Sequence, residues 1–62
     1  MLFPELNEDE KKLTLFLQEK EMHIDELLLK TEMSPGQLAS VLLSLEIKSV
    51  IQPLPRKRFR LL

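Results

Sequence analysis

Cysteine, tryptophan and tyrosine are all missing from this chain, and glycine and histidine occur once each. Without cysteine there are no disulfides and no thiolate metal sites, so packing alone must hold the domain together, as suits a cytoplasmic protein. One histidine and no glycine-rich phosphate loop leave little material for catalysis. His23 and Asp25 lie close in sequence, but two residues make neither a metal site nor a triad, and His23 is expected to be structural. Glu8, Asp9 and Glu10 could be drawn as a metal cluster; a solvated helix start explains them more simply. No apolar run approaches the roughly 20 residues of a membrane span. Met1 leads into an acidic segment and not into a basic and then apolar one, so no signal peptide is expected. The reading is of a non-enzymatic protein without cofactor, metal or membrane partner.

Acids are missing from one region. Residues 1–46 carry ten acids and four bases, a balance of −6, whereas residues 47–62 carry five bases and no acid, a balance of +5. So polar a distribution hides behind a net charge of −1. A concentrated basic end attracts phosphates even when the whole chain is slightly acidic. At 62 residues there is room for one domain, near the lower size at which a single apolar core offsets chain entropy.

Residues 1–6, with Pro4 keeping Phe3 extended, read as a linker, and residues 7–62 as the domain. Asn7 with Glu10 three positions later makes a capping box, predicting a first helix from Glu8 to about Lys20 with Leu13, Phe16 and Leu17 on its apolar stripe. Met22 to Ile24 reads as a short strand, and Asp25 as the N-cap of a second helix from Glu26 to about Lys30. Ser34-Pro35-Gly36-Gln37 is a capping box with proline at the first helical position, opening a third helix to about Ile47. Its inner face is Leu38, Val41, Leu42 and Leu45, and its outer face is assigned to Gln37, Ser40 and Ser44. The period then changes: Val50 to Gln52 and the alternating Arg58-Phe59-Arg60-Leu61 form two strands of a hairpin, with Pro53 and Pro55 at an edge or turn.

Helix, short strand, helix, tight turn, helix, two-stranded ribbon is the order of a winged helix-turn-helix: mainly α with a small antiparallel β wing of two or three strands. A plain three-helix bundle with a basic tail is the competing arrangement. Residues 23–62, "HIDELLLKTEMSPGQLASVLLSLEIKSVIQPLPRKRFRLL", resemble the C-terminal winged-helix domain of the DprA (Smf) family of DNA-processing proteins of natural transformation. The resemblance is carried by Ile24-Asp25-Glu26-Leu27, by "LLSLEI" over Leu42 to Ile47, and by Phe59 among its flanking bases. "LFPELNEDEKKL" resembles the linker and first helix that precede this domain in the family. It implies a Rossmann-like domain upstream in the same chain, single-stranded DNA as ligand and a RecA-type recombinase as partner. The chain departs from the family where glycine is usual, with Glu32 in the helix-turn-helix turn and Ser49 after the third helix. Both would have to take a backbone conformation that glycine adopts more readily.

Reading duplex DNA through the major groove calls for Arg, Lys, Asn or Gln on the third helix, and the assigned outer face of Gln37, Ser40 and Ser44 carries no positive charge. Duplex binding is therefore expected to be poor. Arg56, Lys57, Arg58 and Arg60, with Lys48 after the third helix, could engage four or five phosphates of a single strand, giving a log-log salt slope near about −3. Alternation puts Phe59 and Leu61 toward the core and Arg58 and Arg60 outward. A different reading starts from Leu15, Leu29 and Leu43, which fall off the inner stripes, and from Leu2, Phe3 and Leu62 at the termini. If these gather into one patch, the domain is a protein-docking module for its upstream domain, a recombinase or a second copy, without useful DNA affinity. A dimeric duplex-reading regulator is disfavoured by the uncharged third helix.

Overall fold

The computed structural model describes residues 5–62, with helices α1 (Glu8–Leu17), α2 (Ile24–Thr31) and α3 (Pro35–Ile47) and strands β1 (Met22–His23), β2 (Ile51–Leu54) and β3 (Arg58–Leu61). The strands form one antiparallel sheet in the order β1-β3-β2, with Met22 opposite Phe59 and Pro53 opposite Phe59 on the other side. This is the winged helix with a three-stranded sheet. Residues 1–4, which hold Leu2, Phe3 and Pro4 of the expected linker, lie outside the described residues.

The reciprocal capping box of α1 is present: the Glu10 amide donates to Asn7 Oδ1 at 2.8 Å, and the Asn7 amide donates to Glu10 Oε1 at 2.9 Å. The helix stops at Leu17 and does not reach Lys20. Leu17 is its last buried position, and Gln18, Glu19, Lys20 and Glu21 are all exposed, so further turns would bury nothing. The Glu19 amide bonds to the Phe16 carbonyl at 3.3 Å, tightening the last turn before the chain reverses into β1.

Helix α2 begins one residue before the expected cap. His23, not Asp25, is its N-cap, with Nδ1 accepting from the Asp25 amide at 3.0 Å. That role requires Nδ1 without its proton, so the Asp25 carboxylate 3.6 Å from the same nitrogen caps nothing and is no ion pair in this state. The α2–α3 turn is closed by Thr31, whose buried hydroxyl donates to the Leu27 carbonyl at 2.7 Å and accepts from the Met33 amide at 3.3 Å. Glu32 takes the left-handed backbone, φ 60°. Ser34 then caps α3 through the Gln37 amide at 3.2 Å. The reciprocal half of this box is not made, because the Gln37 side chain turns to α1.

Helix α3 ends in a Schellman motif: the Val50 amide bonds to the Leu45 carbonyl and the Ser49 amide to the Glu46 carbonyl, both at 3.0 Å, with Ser49 left-handed at φ 62°. Both positions at which the sequence lacks an expected glycine thus keep the glycine conformation. The core is where the three helices meet the inner side of the sheet, with Leu13, Leu27, Leu38 and Leu45 fully enclosed and Met22, Ile51 and Phe59 supplied by the strands. Pro53 is tolerated inside β2 because β2 is an edge strand, where a missing amide donor is turned to solvent. The hairpin tip is tied to the helices by the Ile24 amide, which donates to the Lys57 carbonyl at 2.9 Å.

Candidate nucleic-acid interface

The hairpin between β2 and β3 turns through Pro55, Arg56 and Lys57. Arg56 and Lys57 are both left-handed, at φ 66° and 58°, in the three-residue connection between the paired Leu54 and Arg58. Two successive left-handed residues throw both side chains clear of the sheet. Both are exposed, and among the described residues neither makes an ion pair. Along β3 the burial alternates: Arg58 and Arg60 are exposed, Phe59 is 9% exposed within the core, and Leu61 is half-buried. Phe59 therefore seals the ribbon to the helices and offers no face to a base.

The two outward arginines differ. Arg58 Nη2 lies 2.7 Å from Glu21 Oε1, an ion pair with both side chains open to water. Arg60 Nε donates to Gln52 Oε1 on the neighbouring strand at 3.0 Å, an uncharged partner that leaves its positive charge uncancelled. An open cleft beside the wing is lined by Lys20, Glu21, His23, Glu26, Arg56 and Arg58, so the side facing α2 mixes both signs of charge.

Lys48 has a different position. Its ammonium donates to Glu10 Oε1 at 2.8 Å, to Glu10 Oε2 at 3.0 Å and to the Glu5 carbonyl at 3.0 Å, which accounts for all three of its donors. Glu10 is 1% exposed, and its Oε2 also accepts from the Ser44 hydroxyl. The hydrogen bond from Lys48, then those from Ser44 and from the Asn7 amide, hold this carboxyl down at about 2 against the opposing effect of burial. The cluster clamps the start of α1 to the end of α3. Gln37 Nε2 also bridges to α1, at 3.0 Å from Asp9 Oδ2.

Of the eight residues expected to touch DNA, the structure gathers Arg56, Lys57, Arg58 and Arg60 on the wing. It turns Gln37, Ser44 and Lys48 toward α1, and leaves Ser40 exposed on α3. Of the expected outer face of α3, Gln37 and Ser40 are exposed and Ser44 is half-buried against Glu10. The exposed residues of α3 after Pro35 are Gly36, Gln37, Ala39, Ser40, Leu43 and Ile47, with no charge among them. Glu10, Glu21 and Gln52, which decide what the bases can do, carried no signal of those partnerships in the sequence. Ile47 did carry one, standing four residues after the outward Leu43. Among the described residues no helix is long and apolar enough to cross a membrane, and no group of His, Cys, Asp or Glu could hold a metal ion.

Residues 3–56 match the family model for the DprA winged helix domain, from before α1 to the first basic residue of the wing tip. No curated protein and no solved structure matches the chain.

Proposed function

This chain belongs to the DprA winged helix domain family, and from that premise we propose that it is a DNA-binding module of a DprA-like protein of natural transformation, holding single-stranded DNA weakly through its wing. The observation that carries the reading is the tip itself. Arg56 and Lys57 stand in an exposed turn whose backbone points both outward, with Arg60 uncancelled on the same ribbon. Phosphate contact is favoured over base reading because the wing offers no aromatic face and the solvent side of α3 offers only Ser40 and Gln37, the latter already bonded to Asp9, as base-reading side chains. The same α3 face would meet two phosphate strands without one positive charge, so duplex binding is the poorer mode. In the full-length protein this module acts beside an upstream Rossmann-like domain and a RecA-type recombinase in the cytoplasm.

Three or four wing cations neutralise about as many phosphates, and each contributes about 0.7 to the slope for a single strand, so the log-log salt slope falls between about −2 and −3. Fluorescence anisotropy with a labelled single-stranded oligonucleotide across a salt series measures this. Arg56→Ala with Lys57→Ala should lower the affinity several-fold and flatten the slope by about 1.4. No binding at low salt, or tight duplex binding that survives the double change, would sink the reading.

A further inference from the structure

His23 stands at the root of the wing with two duties open to one nitrogen. Its Nδ1 accepts from the Asp25 amide at 3.0 Å, which caps α2, and lies 3.6 Å from Asp25 Oδ2. A neutral ring can fill the first duty and a protonated ring only the second, because Nδ1 cannot accept once it carries a proton. Both partners are in place before any proton arrives. With Nδ1 bare, the neutral ring carries its hydrogen on Nε2, and among the described residues Nε2 has no hydrogen-bond partner.

Backbone contacts fix the place of the ring whatever its charge. Strand β1 pairs His23 with Arg58, and the next amide, that of Ile24, donates to the Lys57 carbonyl at 2.9 Å. His23 therefore lines the open cleft beside the wing together with Lys20, Glu21, Glu26, Arg56 and Arg58. The charges around it come from every neighbouring element: Lys20 and Glu21 from the α1–β1 connection, Asp25 and Glu26 from the first turn of α2, Arg56 and Arg58 from the hairpin. Glu26 holds Lys20 at 3.5 Å and Glu21 holds Arg58 at 2.7 Å, so among the described residues Asp25 and Arg56 are left without an ionic partner while the ring is neutral. Three bases and three acids then balance. A proton on His23 occupies Asp25 and leaves the cleft with one net positive charge, beside the uncancelled Arg56.

The two states respond oppositely to an anion. The cap and the positive end of the α2 dipole favour the neutral ring, whereas Asp25 and a phosphate on the wing favour the charged one. Resting on the reading of the wing as a single-strand site, we propose that His23 is a further phosphate contact of that site, engaged when protonated, so that holding a strand and taking up a proton at His23 assist each other. In the charged ring Nδ1–H turns to Asp25 while Nε2–H donates to a phosphate oxygen, a hydrogen bond strengthened by charge. The coupling is reciprocal: whatever factor the proton adds to strand affinity, the strand adds to proton affinity. Imidazole is the side chain that changes charge between about pH 5 and 8, so strand binding strengthens as pH falls through that range.

The test is fluorescence anisotropy at low salt, at about pH 7.5 and about pH 5.5, with a labelled thymidine-only oligonucleotide whose bases do not titrate in that window. Both values lie above the pH at which the Glu10 clamp weakens. Affinity should rise at least about threefold toward the lower pH, and the log-log salt slope should steepen by about 0.7, as for one more cation on a single strand. His23→Asn keeps an oxygen to cap α2 and has no proton to gain, so it should bind alike at both values. On the free chain at about pH 8, long-range nitrogen–proton NMR correlation should place the ring hydrogen on Nε2, and the Asp25 amide resonance should then move in step with the ring as pH falls. Equal affinity at both pH values, a pH response that persists in His23→Asn, a free ring with its hydrogen on Nδ1, or an Asp25 amide blind to the ring would each overturn the proposal and leave the wing reading standing. Absence of single-strand binding at both pH values would sink the two together.

Discussion

Lys48 and the wing tip draw on the same acid-free stretch of sequence, yet one is an internal strut and the other an open hand. Three acceptors meet the three donors of Lys48, two of them on a carboxylate that is 1% exposed. Arg56 and Lys57 meet solvent. Between these extremes, Arg58 has an acid partner that water can replace, and Arg60 has a neutral one. Five bases in sequence thus become three whose charge is offered outward uncancelled: Arg56, Lys57 and Arg60. What separates them is the burial of the partner and not the base itself, because removing an acceptor from water makes its cation indispensable.

Breaking the strut should have the largest effect. Lys48→Ala strands the Glu10 carboxylate under cover and should cost about 2–3 kcal/mol, read by urea unfolding, whereas Lys57→Ala should change stability by about 0.5 kcal/mol or less. Replacing the pair together, Glu10→Gln with Lys48→Met, should recover part of the loss, since no uncompensated charge remains. Acid tests the same clamp with a smaller effect. The Glu10 carboxyl lies near its ordinary 4.5 when unfolded and at about 2 when folded, so its contribution is complete above pH 4.5 and lost as pH falls toward 2. Lys48 is 32% exposed and lets water and salt screen the pair, so the loss should be about 1–2 kcal/mol, less than the full shift implies. Circular dichroism across that window should show a shallower stability slope for Glu10→Gln. The smallest effect sharpens the other side of the comparison. Glu21→Gln releases Arg58 and should tighten single-strand binding about twofold at low salt, with little change in stability because the pair is exposed.

Local chemistry made the order of elements legible. Asn7 with Glu10, Ser34 with Pro35, and the alternation around Phe59 each announce an element through neighbours within four residues. The exceptions are informative. His23 took the capping role expected of Asp25 because β1 pairing already fixes its backbone as extended, the conformation a cap needs. Gln37 is exposed as expected, but Ser44 was placed on the solvent side because it is polar, although polar residues can equally face a buried partner on another helix, here Glu10. Glu10 looked sufficient as a capping residue, and its second duty to Lys48 depends on a residue 38 positions away. No local pattern encodes a meeting of that kind. The wing cations were legible as charges, but their unequal freedom was not, since Glu21 and Gln52 find Arg58 and Arg60 only through the sheet.

The hydrogen bond from the Ile24 amide to the Lys57 carbonyl joins the outermost point of the hairpin to the first turn of α2. A hairpin anchored in this way cannot swing as a flap, and the tip loses little conformational freedom when a ligand lands on it. The bond also makes one amide a gauge of the tip. Any opening of the hairpin must expose the Ile24 N–H to solvent, so its hydrogen-exchange rate measures how often the tip lets go, and a ligand that grips Arg56 and Lys57 slows that clock from the far side of the bond.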